Sequence, residues 1–152
     1  MIRPFNVYGP GQRLDDGRII PSLMSGAFHR QPIVLYSDGR PTRSFCYVRD
    51  AISGMLLVLL SNVAGEAFNV GNDEEISVGE LAHFVASMDG EPKLPIRFET
   101  SQETDYLRDN PQRRCPNLAK LKRLGDWRPE VKVREGLART LRSSRETAPV
   151  GV

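Results

Sequence analysis

The chain has 152 residues, 39% hydrophobic and 26% charged, with a formal net charge of +2. Such a length and balance suit one globular domain, or part of a larger one, and exclude a disordered or fibrous chain. The near-neutral total supplies none of the general cationic field that nucleic-acid binders use. Any anion site has to be assembled from local arginines, of which there are 17 against 4 lysines.

Taken in order, the elements alternate between strand and helix with short loops and no internal repeat, which is an α/β pattern. Ile2 to Val7, in "RPFNVYGPG", reads as a buried strand running into a Gly-Pro turn. From Ile19 to Arg30 the apolar residues Ile20, Leu23, Met24, Ala27 and Phe28 recur at helical spacing, with Pro21 tolerable in the first turn. "PIVLYSDG" predicts a strand over Ile33 to Tyr36 stopped by a Ser-Asp-Gly turn. Asp50 then opens "AISGMLLVLLS", apolar almost all round and so expected to be a core helix buried on several faces. "EAFNVGND" gives a third strand and a turn. Ser77 and Glu80 have capping-box spacing and start a helix that carries Leu81, Ala82, Phe84 and Val85 inward. "LPIRFET" is a fourth strand, followed by a polar loop through Arg114 and a short helix around Leu118 to Leu124. A last helix from about Glu135 to Arg142 leads to residues 143–152, expected to be a frayed tail behind a domain spanning 1–142.

The longest strongly apolar run, Met55 to Leu60, is far below the roughly 18 residues that would span a bilayer. Cys46 and Cys115 form no CxxC or Cys/His cluster, so no metal site is expected and both are read as reduced, in a cytoplasmic setting. His29 and His83 have no partner at metal spacing. Asp15 and Asp16 read as a turn rather than as paired catalytic carboxylates.

Five stretches follow one another with a familiar order and spacing: "RPFNVYGPG", "LDDGRIIP", "VLYSDGRPTRSFCYVRDA", "GEAFNVGNDEEISVGELA" and "RDNPQRRCPNLAKLKRLGDWRPEVKVREGL". Together they resemble the C-terminal half of extended short-chain dehydrogenases, the NAD-dependent epimerase/dehydratase family acting on nucleotide sugars. "DGR", "TRSFCYV" and "NPQRRCPN" are most similar to UDP-glucuronate decarboxylase and dTDP-glucose 4,6-dehydratase. Ser37, where a glycine is usual, and Asn117, where aspartate is, depart from that pattern. The resemblance implies a Rossmann-type α/β fold of which this chain carries a late sheet strand and the small substrate-binding portion, the dinucleotide-binding half being absent.

The absent half can be checked in the residues. The 13 glycines include no GxGxxG or GxxGxxG, so no phosphate loop opens a helix for a pyrophosphate. The family's catalytic pair is a tyrosine with a lysine four residues on, the lysine lowering the tyrosine pKa. Here Tyr8 meets Gln12, Tyr36 meets Arg40, Tyr47 meets Ala51 and Tyr106 meets Asn110, so no catalytic residue is expected.

What the resemblance implies for binding is a set of arginines, since a planar guanidinium offers a diphosphate two parallel hydrogen bonds. Arg43 and Arg114 match diphosphate contacts, and Arg18 a position reaching cofactor or substrate phosphates. Asn6 matches a substrate contact, Val7 and Arg13 flank the nicotinamide end of NAD, and Leu35 and Tyr36 hold the nucleobase. Asn69 and Asn72 lie at a loop near it. Against each stands a plain alternative: a solvated arginine, Asn6 capping the turn before Gly9, Tyr36 and Tyr47 as core residues, Cys46 as a small buried apolar residue. Two functions are expected to compete. One is the UDP- or dTDP-sugar-binding part of an NAD-dependent enzyme, as a homodimer or with its missing half. The other is a non-catalytic module that binds nucleotide sugar or associates with a complete paralogue.

Overall fold

The structure is a computed structural model that describes residues 1–99 and 111–147. Nine short strands and five helices are described: β1 (Ile2–Pro4), β2 (Val7–Tyr8), α1 (Ile19–His29), β3 (Ile33–Leu35), β4 (Thr42–Ser44), β5 (Cys46–Tyr47), α2 (Val48–Leu60), β6 (Phe68–Val70), β7 (Glu75–Ser77), α3 (Val78–Ala86), β8 (Ile96–Phe98), β9 (Arg113–Arg114), α4 (Ala119–Lys122) and α5 (Val133–Thr147). β1 pairs with β6, β2 with β5 and β3 with β8, all parallel, while β4 lies between antiparallel β7 and parallel β9.

The expected strand over Ile2 to Val7 is broken in two, and the cause is one residue. Asn6 has φ 41, a left-handed conformation that asparagine tolerates better than most residues. The turn it makes moves the chain from one partner strand to another: Phe5 still donates its N–H to the Val70 carbonyl at 2.9 Å, whereas Cys46 donates to the Asn6 carbonyl at 3.2 Å. The Asn6 side chain secures the change of partner, its Nδ2 donating to the Ser44 carbonyl at 2.8 Å.

α1 buries Ile20, Leu23, Met24 and Ala27 as its spacing predicts, and ends at His29 because Arg30 is left-handed at φ 54. α3 carries the full capping box, with Glu80 donating its N–H to Ser77 Oγ and Ser77 donating its own to Glu80 Oε2. Both helices pack with α5 on a core that holds Tyr8, Ile33, Leu35, Phe45 and Leu81. A smaller core of Cys46, Ala51, Val70 and Leu121 lies beneath α2.

Three further expectations are corrected. α2 is not buried on several faces: Ala51 and Gly54 face the β1–β6 layer, but Ile52, Leu56, Leu59 and Leu60 are exposed, because nothing among the described residues lies over their side. Arg114 is not in a loop but in β9, held by main-chain pairing to β4. The last helix starts at Val133 and runs to Thr147, so residues 143–147 are helical rather than frayed. Arg145 ties that extension down, its Nη1 donating to Asp89 Oδ1 at 2.8 Å and its Nη2 to the Ala27 carbonyl at 3.3 Å. Thr100, Tyr106 and Asn110 lie outside the described residues, as do 148–152.

Candidate nucleotide-binding site

A cavity of about 370 Å³ opens where the N-terminus of α1, the end of β3 and the β4–β9 pair converge. Six of the expected contacts line it together: Asn6, Arg18, Leu35, Tyr36, Arg43 and Arg114. The strongest geometric fact is a register. Arg43 and Arg114, 71 positions apart, are direct partners in the parallel β4–β9 ladder, so their Cα atoms are neighbours across about 4.8 Å. Arg43 is buried, and its Nη1 donates to the Thr42 carbonyl at 2.7 Å, which spares the buried charge an unsatisfied donor. Arg114 is exposed at the cavity rim.

Arg18 comes from another side. It is the residue before α1, a helix whose N-cap side chain makes no cap; Gly17, Arg18 and Ile19 line the cavity there, and the Arg18 main-chain N–H is taken by Asp16 Oδ1 at 3.0 Å. Asp16 holds the Arg18 side chain, Nε donating to Oδ2 at 2.9 Å, and Nη2 forms a close ion pair with the same oxygen. That guanidinium and the Arg18 N–H pull the Asp16 carboxyl down to about 2.

Part of the lining is apolar. Val34, Leu35, Pro41 and Val78 form it, with Tyr36 half exposed where the chain leaves β3. The Leu35 carbonyl is already used, accepting from Glu99 N at 2.8 Å. Ser22, Ser37, Pro41 and Val78 were not anticipated as lining residues. The uncapped start of α1 was the available clue to Ser22, while Val78 is brought there by β7 pairing with β4.

The other expected contacts are elsewhere. Val7 lines a cleft of about 30 Å³ that shares Asn6 and Arg18 with the main cavity. Arg13 lines neither; it is exposed and pairs with Asp15, its Nε donating to Oδ1 at 2.9 Å. Asn69 sits on β6 with its Nδ2 donating to the Asn117 carbonyl at 3.1 Å, and Asn72 makes a turn by accepting from Glu74 N at 2.9 Å. Burial, with Cys46 and Tyr47 nearby, pushes the Tyr8 phenol well above its usual range, and burial beside Asp50 pushes the Cys46 thiol up to about 12. No metal-binding cluster of His, Cys, Asp or Glu occurs among the described residues, and no described helix is long and apolar enough to cross a membrane.

Fold and cavity define an α/β protein with a cavity lined by three arginines and by apolar residues. The sequence profile of the NAD dependent epimerase/dehydratase family matches residues 1–71. UDP-glucuronic acid decarboxylase 1 of Arabidopsis thaliana is 36% identical over 137 residues, which are 90% of this chain and 30% of that protein. A UDP-glucuronic acid 4-epimerase from Bacillus cereus, solved with UDP-glucuronic acid and NAD, superposes with a TM-score of 0.83 at 25% identity, over 97% of this chain and 45% of that one. A dTDP-glucose 4,6-dehydratase from Bacillus anthracis, solved with NAD, gives 0.80 at 27% identity, over 96% and 44%. The chain thus spans about a third of the length of the curated relatives it matches and under half of the solved neighbours.

Proposed function

We propose that this chain is the nucleotide-sugar-binding part of an NAD-dependent, UDP-glucuronate decarboxylase-like enzyme, corresponding to the C-terminal portion of that enzyme. The observation that carries the reading is the convergence of Arg43, Arg114 and Arg18 on one cavity that is also lined by apolar residues. A nucleotide diphosphate needs both: guanidiniums for adjacent anionic oxygens, and a flat apolar slot for the base. In this role Arg43 and Arg114 clamp the diphosphate, and Arg18 with the α1 N-terminus closes its other side. Leu35 and Tyr36 flank the base. Asn6 keeps its Nδ2 on Ser44 and turns Oδ1 to a sugar hydroxyl.

The residues present do not by themselves fit a dinucleotide. Val7 offers one wall of a narrow cleft, Arg13 is engaged with Asp15, and the sequence has no glycine-rich phosphate loop. In the complete enzyme proposed, NAD would supply the hydride acceptor. The role of this chain is binding and orientation, which is also what a non-catalytic module that takes the same ligand would do.

Calorimetric titration with UDP tests the reading. Charge-assisted hydrogen bonds contribute roughly 1.5 to 3 kcal/mol each, so Arg43→Ala and Arg114→Ala should each weaken UDP by about 10- to 100-fold. Arg43→Lys should recover part of the loss, because charge remains while the bidentate geometry goes. Affinities within about twofold of the parent for both alanine variants, matching an exposed control such as Arg142→Ala, would reduce the resemblance to one of fold alone.

A further inference from the structure

The acidic pair in "DDGR" has so far been given no role beyond a turn. We infer that Asp16 is a positioning residue for the anion cavity, holding the Arg18 guanidinium in place so that a nearby negative charge strengthens the binding of an anion. The inference rests on the reading that the cavity takes a nucleotide diphosphate.

Four contacts converge on the Asp16 carboxylate. Arg18 donates its main-chain N–H to Oδ1 at 3.0 Å, its Nε to Oδ1 at 3.1 Å and to Oδ2 at 2.9 Å, and its Nη2 pairs closely with Oδ2. Gln12 adds a longer contact, Nε2 to Oδ2 at 3.5 Å. The Asp16 side chain is only 22% exposed although the loop is on the surface. Because main chain and side chain of Arg18 are caught by one carboxylate, the guanidinium is fixed relative to the first turn of α1, whose Ile19 and Ser22 line the cavity.

The division of donors matters. A guanidinium has five N–H bonds, and Asp16 occupies the inner edge made of Nε and Nη2. No hydrogen bond engages Nη1 among the described residues, which leaves an outer edge able to meet a phosphate. Gln12 lies in the adjoining cleft with Asn6 and Arg18, its Oε1 buried and without a partner among the described residues. Gln12 and Asp16 thus form a short brace behind Arg18.

Coulomb's law and positioning predict opposite signs here. If Asp16 acted only through its charge, Asp16→Asn would remove a repulsion and tighten anion binding. If it positions Arg18, Asp16→Asn frees a long side chain that must then be ordered on binding, and UDP should weaken by about 3- to 10-fold.

The test is UDP titration of the full chain as parent, Asp16→Asn, Arg18→Ala and the double variant, with thermal melts alongside. Weakening by Asp16→Asn in the parent and no weakening in the Arg18→Ala background supports the inference. Tightening, no change, or equal weakening in both backgrounds overturns it. The Arg18 Nε–Hε resonance in ¹⁵N NMR gives a readout independent of UDP: a protected signal lost in Asp16→Asn supports positioning, and an unaltered signal overturns it. A parent that bound no UDP while showing that loss would remove the nucleotide reading and leave the brace intact.

Discussion

Asp50 is the buried carboxylate of α2, and it faces main chain rather than ligand. Its Oδ2 accepts from Glu130 N at 2.9 Å and Val131 N at 2.8 Å, which fastens the segment entering α5 to the first turn of α2. Asp89 does similar work at the other end of α5. The Arg145 guanidinium bonded to it, with Arg30 nearby, holds its carboxyl below the usual carboxylate range. The folded carboxylate therefore binds a proton less readily than the unfolded one. Its stabilising contribution is complete above the unfolded pKa, near 4, and is lost as pH falls through the lower folded value. The gap in melting temperature between the parent and Asp89→Asn should accordingly stay constant from about pH 7 to 5 and close below about pH 4. A gap that persists unchanged to about pH 2.5 would mean that the charge of Asp89 contributes nothing.

Among the elements, α5 depends most on one small residue. A Cβ at Gly136 would come within 2.1 Å of Tyr8 Oη and 2.9 Å of Tyr47 Cδ2, so the helix can approach the β2–β5 pair only with glycine there. Tyr8 uses that closeness to donate its hydroxyl to the Val133 carbonyl at 3.1 Å. Gly136→Ala should cost about 1 to 3 kcal/mol by overpacking, against a gain of up to about 1 kcal/mol in helix propensity. Urea titration would show the net loss, and a net gain would mean that the Tyr8 ring has room to withdraw. Neither this contact nor the length of α5 was legible in the sequence. Residues 143–147 are polar, and what keeps them helical is Arg145 reaching Asp89 and Ala27, far off in the chain. By contrast α1 and α3 were legible, because local signals sufficed: apolar spacing in one, and in the other a capping box closed within four residues.

For the molecule as a whole, six cavity residues could be anticipated because they occupy recognisable motifs, while Asp16 and Gln12 could not. Their roles depend on which way Arg18 turns, and spacing does not encode that. The reading of α2 went astray for a related reason: an apolar helix announces that it will be covered, not by what. Leu59 and Leu60 are 74% and 80% exposed, and with Ile52, Leu56 and Val63 they form an uncharged stripe along residues 52–63. Such a surface on an isolated chain promotes association. The chain should bind a hydrophobic dye and gain apparent mass with concentration in sedimentation, and a Leu56→Lys, Leu59→Lys double variant should lose both properties without a lower melting temperature. Sharp monomeric behaviour of the parent would show that the stripe is tolerated in water.

The register of Arg43 against Arg114 has a thermodynamic consequence. β9 is two residues long, and among the described residues its strand pairing is with β4, supplemented by the Arg113 side chain donating to Glu75 of β7 at 2.6 Å. An anion gripped by both arginines is a clasp across that seam, present when β9 is docked and absent when it lifts away. By linkage, its binding free energy adds to the work of detaching β9, by about 2.7 kcal/mol at a hundred times the dissociation constant. A slip of one residue in the ladder would turn the two guanidiniums to opposite faces, so ligand occupancy selects for the correctly registered sheet. Slowed amide hydrogen exchange at Arg113 and Arg114 on adding UDP, with α5 unchanged, would be the signature of that selection.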